Sequence, residues 1–362
     1  MTASVSQDRL SPREAAPRLF ALSVLIVTHN HSELVRACLG SLLAQLGRQD
    51  EIIVLDNNSS DGTPDVVEEI APSARVLRRR TNLGFAAGCN AACAQARGDL
   101  FVLLNPDTVV VPGFVEAITR PLSDGRGWTA WQSLITQAGG QEINTSGGTT
   151  HFVGLSWATQ IGEPLTALAP GSREVAFASG ACLAVPRTVW ELERGFSEEF
   201  FLYFEDVDLS LRLRLAGGVV GIETTARVDH IYHFSRGPQK WRLLERNRWA
   251  TIIRTYPPGL LLLLGPALAL TELAILAIAT RAGWGVQKRR AMLDVARALP
   301  RLLRERREIQ SRRTISSARF ASYLTSELTS PFLGAGSDSR VLRAGLTAYW
   351  TAVRAVLARG RR

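Results

Sequence analysis

A doubly wound α/β fold with a mostly parallel sheet, followed by a helical C-terminal region suited to a membrane surface, is what this sequence predicts. Three observations carry that expectation. Short apolar, β-branched runs alternate with helix-period segments through the first hundred residues. Polar residues gather at the carboxyl ends of those runs, where open α/β sheets bind their ligands. Beyond about residue 236 the pattern becomes one long apolar run followed by arginine-rich amphipathic segments.

The elements follow in order. Leu22–Thr28 (LSVLIVT) reads as a buried strand. Ser32 is placed to cap the next helix, in which Leu34, Cys38, Leu39, Leu42, Leu43 and Leu46 recur at helical spacing. Glu51–Leu55 is a second strand, a helix follows Pro64, and Ala74–Leu77 is a third strand. Phe85–Ala96 is alanine-rich helix and Leu100–Leu104 a fourth strand. From Trp128 to Ser172 the Gly- and Thr-rich chain reads as loops and short strands, and Ala176–Val185 as a further strand. Phe200–Ala216 starts aromatic, passes through EDVD and turns helical, and Val228–Phe234 comes after a polar turn. The expected organisation is a disordered tail over 1–20, an α/β domain over 21–235 and a helical region over 236–362.

Composition narrows the class. Of 362 residues, 46% are hydrophobic and 21% charged, enough apolar surface for a packed core. Four cysteines with no C-x-x-C pair are too few for a disulfide framework and suggest neither zinc nor an oxidising compartment. The first twenty residues carry Asp8, Arg9, Arg13 and Glu14 with no apolar run, so no secretory signal peptide is expected there. The net charge of +9 is concentrated between Arg281 and Arg313, where eleven basic residues face three acidic ones. Beside the apolar run Leu260–Ala279, broken by Pro266 and Glu272, that charge fits an anionic membrane surface better than nucleic acid. Peripheral or monotopic attachment at the cytoplasmic face is the expectation; a helical hairpin packed on the α/β domain is the alternative.

The candidate chemistry sits at the strand ends. Strand one ends in Thr28-His29-Asn30 and strand two in Asp56-Asn57-Asn58, where a carboxylate reaches a ribose or base edge or else caps a turn. Asn82-Leu83-Gly84, with Gly88 and Asn90, opens a helix beside the same edge; its glycines permit close approach and its amides suit phosphate. Strand four ends Asn105-Pro106-Asp107, a carboxylate such as an oxygen-preferring divalent metal requires. Glu205, Asp206 and Asp208 lie among Phe200, Phe201, Tyr203 and Phe204, where apolar surroundings and like charge raise a carboxyl pKa toward general-base duty. His230 and its rival His233 follow.

Together these segments resemble the family 2 glycosyltransferases, most closely a bacterial rhamnosyltransferase-like branch. The carrying residues are SVLIVTHN at 23–30, IIVLDNNSSDGT at 52–63, NLGFAAGCN at 82–90, LLNPDT at 103–108, SGACLAVPR at 179–187, FFLYFEDVDLSLRLRLAG at 200–217 and ERNRWATIIRTYP at 245–257. The resemblance implies a GT-A fold, a nucleoside-diphosphate sugar donor, a divalent metal (Mg²⁺ or Mn²⁺), inversion at the anomeric carbon and a glycan or lipid-linked acceptor of the cell envelope. It implies that Thr28, Asn30 and Asp56 hold the nucleoside with Asn82, Gly84, Asn90 and Glu205 nearby. Asp107 and His230 would bind the metal, and Asp206 would be the base. Asn105 stands where D-x-D members carry an aspartate, a mark of the branch that leaves the metal fewer charges. Only Arg248 and Trp249 match the Q-x-x-R-W of processive synthases, with Glu245 in place of glutamine, which argues for transfer of a single sugar. A sugar nucleotidyltransferase and a non-catalytic nucleotide-sugar or glycan-binding protein are the alternative readings. The first lacks a basic, Gly-rich phosphate loop after strand one, and the second needs no base.

Overall fold

A computed structural model of the chain describes residues 20–231, 237–329 and 339–359. The expected tail over 1–20 lies, apart from its last residue, outside the described residues, as does His233.

The strands are β1 (Leu22–Thr28), β2 (Glu51–Asp56), β3 (Arg75–Arg78), β4 (Leu100–Leu104), β5 (Thr108–Val110), β6 (Ala130–Gln137), β7 (Glu142–Thr145), β8 (Gly148–Thr150), β9 (Ser156–Ala158), β10 (Arg173–Glu174), β11 (Cys182–Pro186) and β12 (Val220–His230). The helices of the first half are α1 (Ser32–Leu43), α2 (Thr63–Ile70), α3 (Gly84–Cys93), α4 (Phe114–Thr119), α5 (Arg187–Glu193) and α6 (Glu205–Leu215). Those of the second are α7 (Pro238–Thr255), α8 (Pro258–Arg281), α9 (Gly285–Ser311), α10 (Ser317–Ala321) and α11 (Arg340–Arg359).

The main sheet runs β10-β12-β6-β11-β4-β1-β2-β3, with β5 on β12 and β7 on β6. β1 pairs in parallel with both β2 and β4, and β11 runs antiparallel between β4 and β6. The strand order reverses at β1/β4, so the ends of β1, β2 and β4 open on one crevice. Along β1 the side chains alternate between two cores. Leu22, Val24 and Ile26 meet α1 and α2; Leu25 and Val27 meet α3 and, through Leu209 and Leu213, α6. All four cysteines are buried and unpaired.

Three sequence expectations change. β6 is a full central strand where loops and short strands were expected: flanked by β11 and β12, it buries Gln132, Ser133 and Thr136 along with its apolar residues, which erases the alternation that marks a strand. Its polar groups are satisfied inside, Gln132 accepting from the Ser179 amide at 2.8 Å and Thr136 donating to Asp229 at 3.0 Å. β12 begins at Val220 rather than Val228; its buried Glu223 is neutralised by Arg126 at 2.9 Å, so a strand passes through a sequence that reads as a polar turn. Ser32 does not cap α1. The Ser32 amide donates to Asp61 at 3.0 Å and the His31 amide to Thr63 at 3.0 Å, so the loop after β2 supplies the cap.

A third hydrophobic cluster crosses the boundary expected at 235/236. Val207, Leu211 and Leu215 of α6 pack with Ile252 of α7, Leu260 and Leu264 of α8, Leu302 of α9, Phe320 of α10 and Trp350 of α11. α6 therefore packs on both sides and is buried apart from Asp206. α8 continues unbroken through Pro266 and Glu272. Glu272 turns inward: its Oε2 accepts from Arg248 and from the Trp249 indole, each at 2.8 Å, and Lys288, fully buried, bridges Glu272 and Glu245. Two acids and two bases thus cancel between α7, α8 and α9, the condition under which buried charge is tolerated.

Candidate active site

The crevice is built first by its backbone. At the end of β1, Thr28 donates to Asp56 Oδ1 at 3.3 Å, and the Ser59 amide donates to Asp56 Oδ2 at 3.1 Å. Asn30 takes up the left-handed region at φ 59°, and its Oδ1 accepts from the Ser60 amide at 2.8 Å. Thr28, Asn30 and Asp56 are therefore brought together, with Asp56 almost fully buried.

Asn57, which sequence reasoning left as part of a turn, joins this edge to the next segment. Its Nδ2 donates to the Gly84 carbonyl at 3.0 Å and its Oδ1 accepts from the Leu83 amide at 3.1 Å. Asn82 closes the same turn by accepting from the Gly84 amide at 2.8 Å. Gly84 sits at φ +81°, and a Cβ there would lie 2.5 Å from Phe201. Its glycine is thus required by the chain's own packing. Asn90 is not part of the cluster: its amide is taken up by both backbone groups of Phe196, at 2.9 Å each, and by Glu198.

At the end of β4 the Asn105 amide donates to Ala181 at 2.9 Å, and Thr108 lies opposite His230 in register. That register brings His230 Nε2 to 3.0 Å from Asp107 Oδ1, so two candidates 123 residues apart meet. His31 is a further neighbour. Burial lowers its pKa, against the opposing charges of Asp107 and Asp61, and keeps it neutral at pH 7. No group of three or more His, Cys, Asp or Glu side chains is gathered for a metal among the described residues.

The three carboxylates of EDVD separate completely. Asp208, fully buried, is ion-paired to Arg212 at 2.9 Å and Arg254 at 3.0 Å. Glu205 is 5% exposed, and its Oε2 has no hydrogen-bond partner among the described residues. Burial, reinforced by the charge of Asp206, pushes its carboxyl well above the ordinary range, so it is held as the neutral acid. Asp206 alone is partly open to solvent. Its Oδ2 accepts from the Gly180 amide at 2.9 Å and its Oδ1 from the Val207 amide at 2.7 Å. Burial raises its pKa and these amides oppose the rise. A Cβ on Gly180 would lie 3.2 Å from the Phe85 ring and 3.7 Å from Asp206 Cβ, so the start of α6, the start of α3 and the SGA run share one corner.

The turn before Asp206 is strained. Phe201 sits at φ 62°, ψ −60°, Tyr203 at φ 72° and Phe204 at φ 70°. Each such residue costs on the order of 1–3 kcal/mol and needs surroundings that enforce it.

Comparison with known proteins fits this crevice. Residues 23–149 match the family model described as glycosyl transferase family 2. Over 241 residues, the chain is 30% identical to the N-acetylglucosaminyl-diphospho-decaprenol L-rhamnosyltransferase of Mycobacterium tuberculosis, covering 60% of this chain and 78% of that protein. The chain belongs to glycosyltransferase family 2. As a family 2 enzyme it is a glycosyltransferase acting on a nucleotide sugar, neither a nucleotidyltransferase nor a passive binder, and it belongs to the rhamnosyltransferase-like part of the family. Solved structures agree on a GT-A fold. A crystal structure of GalNAc-T7 with UDP, GalNAc and Mn²⁺ superposes with a TM-score of 0.55 at 15% identity, over 67% of this chain and 49% of that one. S. aureus TarS 1–349 in complex with UDP gives 0.50 at 15% identity, over 94% and 92%.

The neutral state of Glu205 sets a pH test. Its folded pKa is raised, so the unfolded chain releases this proton first, and wild-type stability falls as pH rises from the ordinary carboxyl range toward the folded value. Glu205→Gln carries no such proton. Chemical denaturation at pH 5 and pH 8 is expected to show the variant gaining at least about 1.4 kcal/mol on wild type over that interval, the worth of one tenfold change in proton affinity. A pH-independent difference would mean that Glu205 is ionised in the fold.

Proposed function

We propose that the protein is an inverting transferase that moves one sugar from a nucleoside-diphosphate donor to a hydroxyl of a lipid-linked envelope glycan, with Asp206 as the base. The observation that carries this is the separation of the three carboxylates: one ion-paired, one buried with an oxygen that has no partner among the described residues, and one partly exposed and oriented by two amides. Thr28, Asn30 and Asp56 would hold the nucleoside, and the loop Asn82–Gly84 would border it. Asp206 takes the proton of the acceptor hydroxyl, the oxygen attacks the anomeric carbon from the face opposite the diphosphate, and the nucleoside diphosphate leaves. One displacement inverts the centre. The relative's name supports L-rhamnose as the sugar and a polyprenyl-diphosphate-linked glycan as the acceptor.

A divalent cation fits the edge formed by Asp107 and His230. Mg²⁺ is commonly held by one or two protein donors plus substrate phosphates rather than by an all-protein cage. A carboxylate and an imidazole nitrogen 3.0 Å apart suit that role, with Asn105 adjacent as a neutral oxygen donor. When bound, the cation would offset charge developing on the departing diphosphate.

The C-terminal helices supply a location. α8 is long and apolar enough to cross a membrane, yet Glu272 ties it to α7 and α9. Its outer face leaves Leu262 81%, Leu270 68%, Leu273 65% and Ile278 58% exposed. Exposed Val286, Leu293, Leu299 and Leu303 extend α9 in the same manner, interleaved with arginines. A broad apolar face among cations suits the headgroup region of an anionic leaflet. We therefore read an in-plane, monotopic seat at the cytoplasmic face.

Three measurements test these readings. Asp206→Asn should lower kcat by at least about 10²-fold, the minimum expected of a general base, with donor affinity nearly unchanged in a thermal-shift screen of UDP-, GDP- and dTDP-sugars. Turnover above about a tenth of wild type would remove Asp206 from this role. Asp107→Ala should weaken donor binding and make it insensitive to EDTA, with His230→Ala milder; donor affinity unmoved by either variant or by EDTA would rule out a metal here. The full-length protein should float with vesicles containing phosphatidylglycerol, partly released by salt, and Leu270→Glu/Leu273→Glu should weaken that binding by at least about tenfold. Full-length protein that stays wholly soluble beside such vesicles would refute the membrane seat.

A further inference from the structure

We infer that Asn247, on α7, is the positioning residue of the base: its side-chain amide holds the turn that delivers Asp206 to the crevice. The inference rests on the reading of Asp206 given above and assigns a function to a residue outside every sequence candidate.

Three backbone carbonyls point at this one amide. Asn247 Nδ2 donates to Phe200 at 3.0 Å, Leu202 at 3.0 Å and Tyr203 at 2.7 Å. The side chain is fully buried. Its orientation is fixed from the other end, since Arg246 Nε donates to Asn247 Oδ1 at 2.9 Å, which leaves Nδ2 as the donor to the carbonyls. Arg246 Nη2 extends the grip to the carbonyls of Glu199 at 2.9 Å and Phe200 at 2.8 Å. The carbonyl of Phe201, between them, points the opposite way and accepts from the Phe85 amide at 2.6 Å and the Ala86 amide at 3.2 Å, at the start of α3.

The held segment is the one that cannot hold itself. Phe201, Tyr203 and Phe204 all occupy positive φ without being glycine, and such backbone persists only where its surroundings over-determine it. Two residues after Phe204 comes Asp206, whose carboxylate must stay aligned with the Gly180 and Val207 amides to present one lone pair outward. The two hydrogens of Asn247 Nδ2 serve the three carbonyls, one of them shared between two acceptors, while the Asn247 oxygen is pinned by Arg246. Aspartate would turn an acceptor toward three carbonyls and repel them; alanine would take this donor from the Leu202 and Tyr203 carbonyls and leave Phe200 to Arg246.

The test separates positioning from plain stability. Asn247→Ala should lower kcat at least tenfold while the donor KM changes less than threefold, read in a steady-state transfer assay on the full chain with the UDP-, GDP- or dTDP-sugar that gives the largest thermal shift. In an Asp206→Asn background the same change should cost less than threefold further, because the group it positions is already gone. Arg246→Lys keeps Asn247 in place and removes its orienting bond together with the guanidinium contacts to the Glu199 and Phe200 carbonyls of the same turn. It should give the same non-additive pattern with a smaller loss, and it stands as the test if Asn247→Ala fails to fold. Equal fold-losses in the wild-type and Asp206→Asn backgrounds, or an unchanged kcat, would overturn the inference. Asp206→Asn retaining full turnover would instead overturn the base assignment, whatever Asn247 does.

Discussion

The backbone ahead of α6 runs through the left-handed region at three non-glycine residues, and the rest of the active corner is arranged to make it stay there. From one side α7 grips it through Arg246 and Asn247; from the other α3 begins on the Phe201 carbonyl, and Gly84 is a glycine because Phe201 comes so close. Relaxing this turn would release both the segment that carries Asp206 and the loop that borders the donor crevice. The strain therefore has a physical use: it joins two functional segments that lie more than a hundred residues apart in sequence.

The same turn of α7 faces the other way as well. While Arg246 and Asn247 hold the base segment, Glu245, Arg248 and Trp249 bind Glu272 and Lys288 of α8 and α9. Removing one member of a buried, mutually neutralised set leaves uncompensated charge, which typically costs 3–5 kcal/mol. The C-terminal helices are thus a wall of the catalytic unit. A cut near residue 259 would strip Lys288 from Glu245 and open the cluster formed by Val207, Leu211, Leu264 and Trp350, so the α/β part is not expected to survive alone.

Much of this was legible in the sequence, for identifiable reasons. β1, β2 and β4 are short apolar runs with polar ends, and all three stand within a residue of where pattern placed them. Their ends converge because the order of parallel strands dictates it, while the register that brings Asp107 and His230 together, between β5 and β12, was not legible in the pattern. What pattern could not give was anything set by three-dimensional neighbours. β6 hid because a strand with partners on both edges can bury glutamine, serine and threonine without alternation. Glu272 looked like a break in an apolar run, when it was the anchor of that helix. Asn90 stood out because asparagine beside a glycine-rich turn suits both a ligand and a structural task, and its contacts with the Phe196 backbone could not be read from pattern. Asn247 lies inside the ERNRW run that carries the resemblance, but its role was not legible there, since its partners are backbone carbonyls some forty-five residues earlier.

The partition of the EDVD carboxylates also answers an electrostatic problem that such a crevice poses. On the proposed reading, a nucleotide sugar brings negative charge to the place that holds the base, and three ionised carboxylates within four positions would repel it together. The fold cancels Asp208 against Arg212 and Arg254, and strips Glu205 of water so that it keeps its proton. Asp206 is left partly exposed and free of an ion pair in these contacts, its carboxylate met by two backbone amides rather than by a cation. An arginine in that place would lower the carboxyl pKa and weaken it as a base. Amides orient the group and leave burial to raise its affinity for a proton, which is the balance a general base working near neutral pH requires.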